Sequence, residues 1–327
     1  MSRPTWPWRC TTYLAPVVAL AVGLGGCQGL WERATLRLAI LDWPGYEFFY
    51  LARRRGLDRQ LGYELRLNQF SSLQDQRQAY VRGDVEAIAT TLPEAMAICR
   101  DAPPRCPAIV LVLDQSNGAD QLIASSSVSN LASLRGRRVG LERSVLGEFV
   151  LLRALQSAGI DLTAVQLRYA GPQALVAQLK AGGLDAIVTY SPHGDALLDD
   201  PGWRLLFSSR NIPGEVVDVL AVSPELVRSR SRLVPALVNT WWAAQREAKE
   251  RPGPSVALMA QRQGVTPAQF RRSQQWIVYP DRTEQPSLLA LNGPVQTTLR
   301  RLQGQMQRAG RLPTGVPLPS LHPIPDQ

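Results

Sequence analysis

Two stretches of the chain share one pattern of apolar and polar positions. In Arg37–Pro93 and again in Arg138–Pro192, an apolar run leads into a Gly-containing loop and a helix-like segment. A second apolar run, a second helix-like segment and a third apolar run follow. Short apolar or alternating runs indicate strands, and apolar positions at helical spacing indicate helices. Each stretch is therefore predicted as strand, loop, helix, strand, helix, strand.

The ends of the two stretches also match residue by residue. The first ends Gly83-Asp-Val-Glu-Ala-Ile-Ala-Thr90-Thr-Leu-Pro93, and the second ends Gly182-Gly-Leu-Asp-Ala-Ile-Val-Thr189-Tyr-Ser-Pro192. A unit of about 50 residues is too long for a solenoid repeat, and strands that alternate with helices indicate a parallel sheet. We predict an α/β fold with two lobes, two parallel-type sheets joined by two crossovers, and a cleft between the lobes.

Loops at the carboxyl ends of the predicted strands mark the functional site. Open α/β sheets bind ligands at these ends. The loops are 42–46, 90–93, 142–147 and 189–192. All four loops face the predicted cleft, so the cleft is the predicted site.

Several side chains in these loops have two interpretations. Trp43 and Tyr46 either cover the core or form walls of a ligand site, and the strand-end position favours the ligand site. Thr90 and Thr91 either cap the helix that starts near Glu94 or bind a ligand. Both alternatives stay open at the level of sequence.

The loop before the helix predicted over Glu148–Ala158 has the same ambiguity. A helix start attracts anions through its free N–H groups and its dipole, and Arg143 and Ser144 would add a charge and a hydroxyl. Ser144 is equally suited to be the N-cap, and Arg143 to be solvated.

The chain is predicted to pass between the lobes twice. The apolar strand Ala108–Leu113, the turn Asp114–Asp120 and the strand Gln121–Ser125 carry it out, and Trp203–Val222 carries it back. Two crossings allow rigid lobes to close by bending a few residues. The expected segments are 36–112 for the first part of lobe 1, 113–214 for lobe 2 with hinges at its ends, 215–310 for the return and C-terminal helices, and 311–327 for an irregular Pro-rich tail.

The first residues are predicted to be a targeting segment. Arg3 and Arg9 precede the apolar run Leu14–Gly26, which is too short to span a bilayer and fits a cleaved signal. The sequence Leu24-Gly-Gly-Cys27 resembles the bacterial lipoprotein box. This resemblance implies a signal peptide over 1–26, a lipid anchor on Cys27 and a linker over 27–35.

Two cysteines remain after the expected processing, since Cys10 lies in the signal. Cys99 and Cys106 flank a turn-rich loop, and an oxidising compartment permits a disulfide between them; two free thiols are the alternative. No metal site is expected, because the chain has only two histidines, His193 and His322. No cofactor is expected either.

The net charge of +9 raises nucleic acid as a partner. The basic clusters are spread along the whole chain instead of forming one face with interleaved aromatics. These clusters are 53–55, 135–138, 228–232 and 300–301. We therefore expect solvated surface and no nucleic-acid partner.

Several motifs together resemble one family. Trp43-Pro-Gly-Tyr46, Ser116-Asn-Gly-Ala-Asp120, Leu134-Arg-Gly-Arg-Arg-Val-Gly140 and Ile212-Pro-Gly-Glu-Val-Val-Asp218 are similar to the nitrate/sulfonate/taurine-type solute-binding proteins of ABC importers, a group that includes binders of thiamine pyrimidine precursors. The resemblance implies a periplasmic-binding-protein fold of the type II-like kind and a monomer that docks on a membrane permease. The ligand-binding residues it implies are Asp42, Trp43, Tyr46, Thr90, Thr91, Asn117, Asp120, Arg143, Ser144, Tyr190 and Asp218.

The resemblance leaves the ligand open. Arg143 and the helix start at Ser144 suit a sulfonate or nitrate, whereas Asp42, Asp120 and Asp218 suit an aminopyrimidine, a zwitterion or a cationic amine. An enzyme on the same fold and a ligand-sensing lipoprotein are the alternatives. The sequence shows no nucleophile–base pair and no phosphate loop, so an enzyme is not expected.

Overall fold

The computed structural model describes residues 1–3, 5 and 33–324. Cys27 and nearly all of the predicted signal peptide lie outside these residues. Residues 33–327 group together as one unit by their contacts. No helix in the described part of the chain is both long and apolar enough to cross a membrane.

Twelve strands occur among the described residues, and all of them belong to two sheets. They are β1 (Ala34–Ile40), β2 (Tyr63–Gln69), β3 (Ala87–Thr91), β4 (Ala108–Ser116), β5 (Asp120–Ser125), β6 (Arg138–Leu141), β7 (Gln166–Tyr169), β8 (Ala186–Tyr190), β9 (Trp203–Ser208), β10 (Val217–Val222), β11 (Ile277–Val278) and β12 (Ser320–Leu321). The first sheet has the order β11-β4-β10-β3-β1-β2 with β12 on β4, and the second has the order β7-β6-β8-β5-β9. We call the halves of the molecule built on these sheets lobe 1 and lobe 2.

Both sheets are mixed, which corrects the prediction of two parallel-type sheets. The three strands of each repeat are parallel, as predicted. In lobe 1, β10 is antiparallel to both β3 and β4, and in lobe 2, β5 is antiparallel to both β8 and β9. β5 and β10 are the first strands after the two crossings, and each enters its sheet from the opposite lobe. An antiparallel neighbour needs no crossover helix, so the chain can enter beside the third strand of each repeat.

Helices cover the two sheets. The helices are α1 (Glu47–Arg55), α2 (Leu57–Gln60), α3 (Leu73–Arg82), α4 (Leu92–Asp101), α5 (Val145–Ser157), α6 (Pro172–Lys180), α7 (Pro224–Ser229), α8 (Leu233–Glu250), α9 (Pro252–Gln263), α10 (Pro267–Gln274), α11 (Gln285–Leu288) and α12 (Pro294–Arg308). α1 ends at Gly56, as predicted, because this glycine takes the left-handed conformation at φ 68°. On α8, the fully buried Trp241 packs on Phe48 and Phe49, which confirms its predicted packing role.

The two repeats share a tertiary contact as well as a pattern. In lobe 1, the backbone N–H of Arg37 donates to Glu86 Oε2 at 2.9 Å, and the guanidinium of Arg37 binds the same carboxylate. In lobe 2, the backbone N–H of Arg138 donates to Asp185 Oδ2 at 2.9 Å, and its guanidinium does the same. The first strand of each repeat is thus tied to the acid that precedes the third strand.

Four boundaries differ from the predictions. β4 continues to Ser116, so Asp114 lies in a strand and not in a turn. α5 begins at Val145, three residues early, because Ser144 is its N-cap. α9 begins at Pro252, three residues before the helix predicted from residue 255, because proline is tolerated in the first turn of a helix. The tail is not wholly irregular, since β12 pairs with β4.

The structure joins Cys99 and Cys106 by a disulfide with an S–S distance of 1.99 Å. Cys99 lies in α4, and Cys106 follows the short turn after that helix. The bond therefore closes the loop between α4 and β4 in lobe 1.

Candidate functional site

Two adjoining cavities lie between the lobes, at the carboxyl ends of the repeat strands. The first, of about 30 Å³, is lined by Leu41, Trp43, Tyr46, Leu73, Thr91, Asp120, Leu146, Tyr190 and Asp218. The second, of about 20 Å³, is lined by Leu73, Asp120, Glu142, Ser144, Leu146, Gly147, Pro172, Leu175, Val188, Thr189 and Tyr190. Volumes of this size hold only about one or two waters. The lobes are thus closed around a narrow space to which both contribute side chains.

Aromatic side chains from the two lobes meet in the first cavity. The rings of Trp43 and Tyr190 stand edge to face, with centroids 6.0 Å apart. Both Trp43 and Tyr46 are buried. Trp43 Nε1 lies 3.3 Å from each carboxylate oxygen of Asp114, which it donates to. The wall of the cavity is therefore aromatic, and its hydrogen-bonding groups are held in place by buried acids.

Asp114 and Asp218 form a buried carboxyl pair behind this wall. They lie opposite each other on the antiparallel strands β4 and β10, and the hydroxyl of Tyr46 donates to Asp218. Burial raises the pKa of both carboxyls, and the neighbouring acid raises that of Asp218 further. Two carboxylates this close cannot both ionise easily, so the pair shares a proton.

Asp120 is a third buried acid, and it lines both cavities. Burial raises its pKa to about 6, although a hydrogen bond with Ser116 opposes the shift. Asp120 is the first residue of β5, directly after the crossing from lobe 1 to lobe 2. Its carboxyl group is therefore placed where the two lobes meet.

Asp42 closes one edge of the site. Tyr190 Oη donates to Asp42 Oδ1 at 3.0 Å, and His193 Nε2 lies 3.0 Å from Asp42 Oδ2. Burial alone raises the pKa of Asp42, but the hydrogen bonds from His193 and Tyr190 outweigh it and lower the pKa. Asp42 belongs to lobe 1 and its partners to lobe 2, so this contact joins the lobes.

A carboxylate from the facing lobe binds the N-terminus of α3. Ser72 caps this helix from within lobe 1, and the backbone N–H of Leu73 donates to Glu142 Oε1 of lobe 2 at 2.6 Å. Burial raises the pKa of Glu142 to about 7. The donor that an incoming anion would use at this helix is therefore already bound.

The N-terminus of α5, in lobe 2, is bound in turn by a carboxylate from lobe 1. Ser144 caps the helix by accepting from Gly147 N at 2.9 Å. Glu94 Oε1, from α4 of lobe 1, accepts from Val145 N at 2.6 Å and from Leu146 N at 3.2 Å. Glu94 also pairs with Arg77. Each lobe thus supplies an acid to a helix start of the other.

Residues 31–258 match the NMT1-like family, and the match covers most of the chain. The chain belongs to the NMT1-like family. A protein of Escherichia coli (strain K12) that carries the provisional name aliphatic sulfonates-binding protein is 26% identical over 145 residues, 44% of this chain and 45% of that protein. A protein of Brucella abortus provisionally named as a binding protein is 23% identical over 199 residues, 58% of this chain and 61% of that protein. The matches therefore span about half the length of these curated relatives.

Solved structures share the fold of this NMT1-like chain. The alkanesulfonate-binding protein SsuA from Xanthomonas axonopodis pv. citri, bound to MOPS, has a TM-score of 0.75 at 19% identity and covers 90% of this chain and 99% of its own. The nitrate-binding protein NrtA from Synechocystis PCC 6803 has a TM-score of 0.68 at 13% identity, with 87% and 83% covered. The desulfurization enzyme DSZB has a TM-score of 0.62 at 18% identity, with 87% and 94% covered. These structures confirm the two-lobed fold, and the family match over residues 31–258 bears out the family resemblance.

In this NMT1-like chain, the structure brings most of the predicted site residues together. Trp43, Tyr46, Thr91, Asp120, Tyr190 and Asp218 line the first cavity, and Ser144 lines the second. Asp42 stands at the edge through its contact with Tyr190. Thr91 and Ser144 also cap α4 and α5, so the capping alternative holds for both.

Three predicted residues are not brought to the cavities. Arg143 is exposed, and its guanidinium lies over the ring of Tyr169, 4.1 Å from the centroid. Thr90 is buried on the other face of β3, since side chains alternate along a strand. Asn117 lies in the crossing, where its backbone N–H donates to Trp276 O at 2.7 Å.

The sequence did not single out Asp114, Glu94 or Glu142 as site residues. Asp114 was assigned to a turn because the apolar run stops at Leu113. The one feature that could have revealed Asp114 is its position opposite Asp218, which becomes apparent only when β4 and β10 are paired. Glu94 and Glu142 act across the lobes, and such contacts leave no local pattern in the sequence.

Proposed function

We propose that the chain is the extracytoplasmic solute-binding subunit of an ABC importer. It captures a small organic solute, either an organosulfonate or nitrate-type anion or an aminopyrimidine-like compound, by closure of its two lobes. The observation that carries this proposal is the interlobe cavity, to which Trp43 and Asp218 come from lobe 1 and Asp120 and Tyr190 from lobe 2. A site divided in this way is complete only when the lobes are closed.

Closure is proposed to bend the two crossings between the sheets. The chain leaves lobe 1 through residues 117–119 and returns through 209–216. The hydroxyl of Ser209 in the return segment lies 2.8 Å from Ser116 Oγ and 2.7 Å from Gly118 N. The two crossings are thus adjacent and hydrogen-bonded, as a common hinge axis requires. The proposed segments are 36–112 for the first part of lobe 1, 113–214 for lobe 2 with its hinges and 215–310 for the return.

The proposed location follows from the predicted leader. Cleavage after the signal over 1–26 and lipidation of Cys27 would hold the protein at a membrane surface outside the cytoplasm, as a monomer beside its permease. Relatives named as periplasmic binding proteins share the fold and support this location. Labelling cells with an alkyne-bearing fatty acid tests it: the wild-type chain is expected to be labelled and Cys27→Ala is not.

An enzyme is the second candidate, because the desulfurization enzyme DSZB shares the fold. The only histidine at the edge of the described cleft, His193, is bound to Asp42, and we propose that the pair joins the lobes and performs no chemistry. Recovery of a bound solute unchanged after prolonged incubation supports binding alone. A sensing lipoprotein uses the same closure, and a permease that co-purifies with the chain favours transport.

A thermal-unfolding panel on the full chain tests the proposal. Sulfonates, nitrate, aminopyrimidines, amines and amino acids are added one class at a time. A solute at about a hundred times its Kd adds about 2.7 kcal/mol to the free energy of unfolding. Leu146→Trp fills the cavity and is expected to abolish the shift. The matched Leu205→Trp, at an exposed leucine of β9, is expected to keep it.

The panel can also contradict the proposal. If no class raises the unfolding temperature, the chain does not bind these solutes. If a solute stabilises Leu146→Trp as much as the wild type, binding takes place outside the interlobe cavity.

A further inference from the structure

We propose that the solute bound in the interlobe cavity is a small organic cation, whose N–H groups bind Asp120 and the Asp114–Asp218 pair while Trp43 and Tyr190 cover its faces. This inference rests on the proposed function and names the ligand's charge, which that function leaves open. It excludes the anion alternative for this chain.

The charges around the cavities are the first support. Within residues 33–324, no Lys, Arg or His lines either cavity, whereas Asp120, Glu142 and Asp218 do. Two basic side chains that contact acids at the lobe interface already have partners: His193 binds Asp42 and Arg77 binds Glu94. A ligand anion would therefore meet buried acids and no available counter-charge, which is unfavourable in a site of low dielectric.

The helix starts are the second support. Free N–H groups at a helix N-terminus are the usual way for a protein without basic side chains to bind an anion. At α3 and α5 those groups already donate to Glu142 and Glu94. An anion could bind there only by displacing a protein carboxylate and leaving it buried. In the closed form, the carboxylates of Glu142 and Glu94 therefore occupy the positions that a ligand anion would need.

The carboxyl cluster is the third support, because it lacks a positive partner. Asp114, Asp120 and Asp218 are all buried, and their hydrogen bonds come from neutral groups of Trp43, Ser116 and Tyr46. Buried charges in proteins are normally paired, and unpaired acids keep their protons. A cation in the cavity would supply the missing charge, and the acids could then ionise.

The aromatic wall suits the same ligand. Cations bind favourably over the faces of Trp and Tyr, and the gain grows when water is excluded. Trp43 and Tyr190 come from different lobes and contact each other in the first cavity, which holds only about one or two waters, so an organic ligand would separate the two rings and would then contact both. A flat amidinium or a primary ammonium has N–H donors for the carboxylates and a positive charge for the rings.

Proton linkage gives the inference a distinct signature. The titratable groups that face Asp120 are Asp114, Tyr46 and Asp218 of lobe 1, and Tyr190 and Glu142 of lobe 2. None of these groups is basic, so a bound cation would be balanced by the release of protons from the carboxyl groups. Affinity for a cation should therefore rise with pH, and affinity for an anion should fall.

Isothermal titration of the full chain with three probes of nearly equal shape tests the inference. The probes are benzamidinium (cation), benzamide (neutral) and benzoate (anion), with methanesulfonate as a second anion. Benzamidinium is expected to bind about tenfold or more tighter than benzamide, and the anions more weakly still. Its affinity should rise between about pH 5 and about pH 8.

Two variants assign the effect to the cavity. Asp120→Asn keeps the shape of the side chain and is expected to lower benzamidinium affinity by about tenfold or more, with little change for benzamide. Asp84→Asn removes the same charge from an exposed position on lobe 1 and is expected to change neither. Equal losses in the two variants would overturn the inference, because they would show a long-range effect of net charge.

The outcomes separate this inference from the proposed function. If benzoate or methanesulfonate binds more tightly than benzamidinium and Leu146→Trp abolishes that binding, the ligand is an anion, and the solute-binding function stands. If none of the probes and no solute of the wider panel binds, both are contradicted. A benzamidinium affinity that falls with rising pH would also overturn the proposal that the ligand is a cation.

Discussion

Acids at the outer ends of the repeats have arginine partners, whereas the acids that line the cavities between the lobes have no basic partner within residues 33–324. At the outer ends, Glu86 binds Arg37 and Asp185 binds Arg138, with the same geometry in both lobes. In the cleft, Asp120 and Glu142 line the cavities without a cation. The chain has 36 basic residues against 27 acids, so basic residues are plentiful. Within the described residues, none of them lines either cavity, which is the lining that the proposed cation requires.

The pKa values express the same difference. The guanidinium of Arg138 lowers the pKa of Asp185, and the hydrogen bonds of Arg37 outweigh burial and lower that of Glu86. In the cleft, burial raises the pKa of Asp120 to about 6 and of Glu142 to about 7. Acids that complete the fold are thus held charged, while the raised pKa values favour the protonated form of the acids that line the cavities.

The largest expected effect compares the two acids that bind helix starts across the lobes. Glu94→Ala removes the partner of Arg77 and three hydrogen bonds, although Asp101 remains within 3.1 Å of Arg77. It is expected to lower the free energy of unfolding by about 3 kcal/mol. Glu142→Ala removes one hydrogen bond from an acid without a cation and is expected to lower it by about 1 kcal/mol. Urea unfolding measures both.

Equal losses in these two variants would contradict the division into paired and unpaired acids. A larger loss for Glu142→Ala would reverse it, because it would show that the unpaired acid stabilises the closed form more. Glu94→Gln, which keeps the shape and removes the charge, separates the loss of the ion pair from the loss of packing.

The pH dependence of stability is the next test. A raised carboxyl pKa means that the folded protein holds a proton that the unfolded chain has lost, so stability falls as pH rises between the two values. For Asp120 this window runs from about pH 4 to about pH 6, and the decline is on the order of 2–3 kcal/mol. Below pH 4, the lowered pKa values of Asp42, Glu86 and Asp185 act in the opposite sense, and stability falls as pH falls.

Urea unfolding at several pH values measures this profile. Asp120→Asn should reduce the decline between about pH 4 and about pH 6, because it removes the titrating group. An unchanged slope would show that Asp120 is not the acid that holds the proton.

The smallest expected effect concerns the outer ion pairs. Arg37→Met and Arg138→Met keep the apolar part of each side chain and remove the guanidinium. The two arginine side chains are 43% and 41% exposed, respectively. Each is expected to lower the free energy of unfolding only slightly, and by similar amounts, because the two pairs have the same geometry and are exposed to solvent. Clearly unequal losses of stability in the two variants would show that the repeats share a sequence pattern but that their ion pairs do not contribute equally.

The repeat made much of the fold predictable from the sequence. Matched strands and helices placed Trp43, Thr91 and Tyr190 at strand ends, and strand ends of both lobes meet at the cleft. Helix starts could not be fixed as well, because Gly147 was taken as the end of the loop before α5, whereas the N-cap is Ser144, three positions earlier. The strand position of Asp114 could not be predicted, because the apolar run ends at Leu113 and the strand continues to Ser116 only through its pairing with β10.

The contacts across the cleft lay beyond the sequence for a physical reason. Glu94 and Glu142 are 48 residues apart and bind helix starts on opposite lobes, so their roles depend on how the lobes meet. Arg143 was expected to face the cleft because it is next to a helix start. Its guanidinium lies over the ring of Tyr169 instead, a contact that depends on how β7 packs beside this loop.

Proton release on ligand binding tests the central claim most directly. Benzamidinium is titrated into the full chain near pH 6.5 in two buffers of different ionisation enthalpy, and the difference in heat gives the number of protons exchanged. A cation that ionises buried acids should release protons on binding. Net proton uptake, or binding with no proton exchange, would contradict the account of the cleft as a set of acids that lack a positive partner.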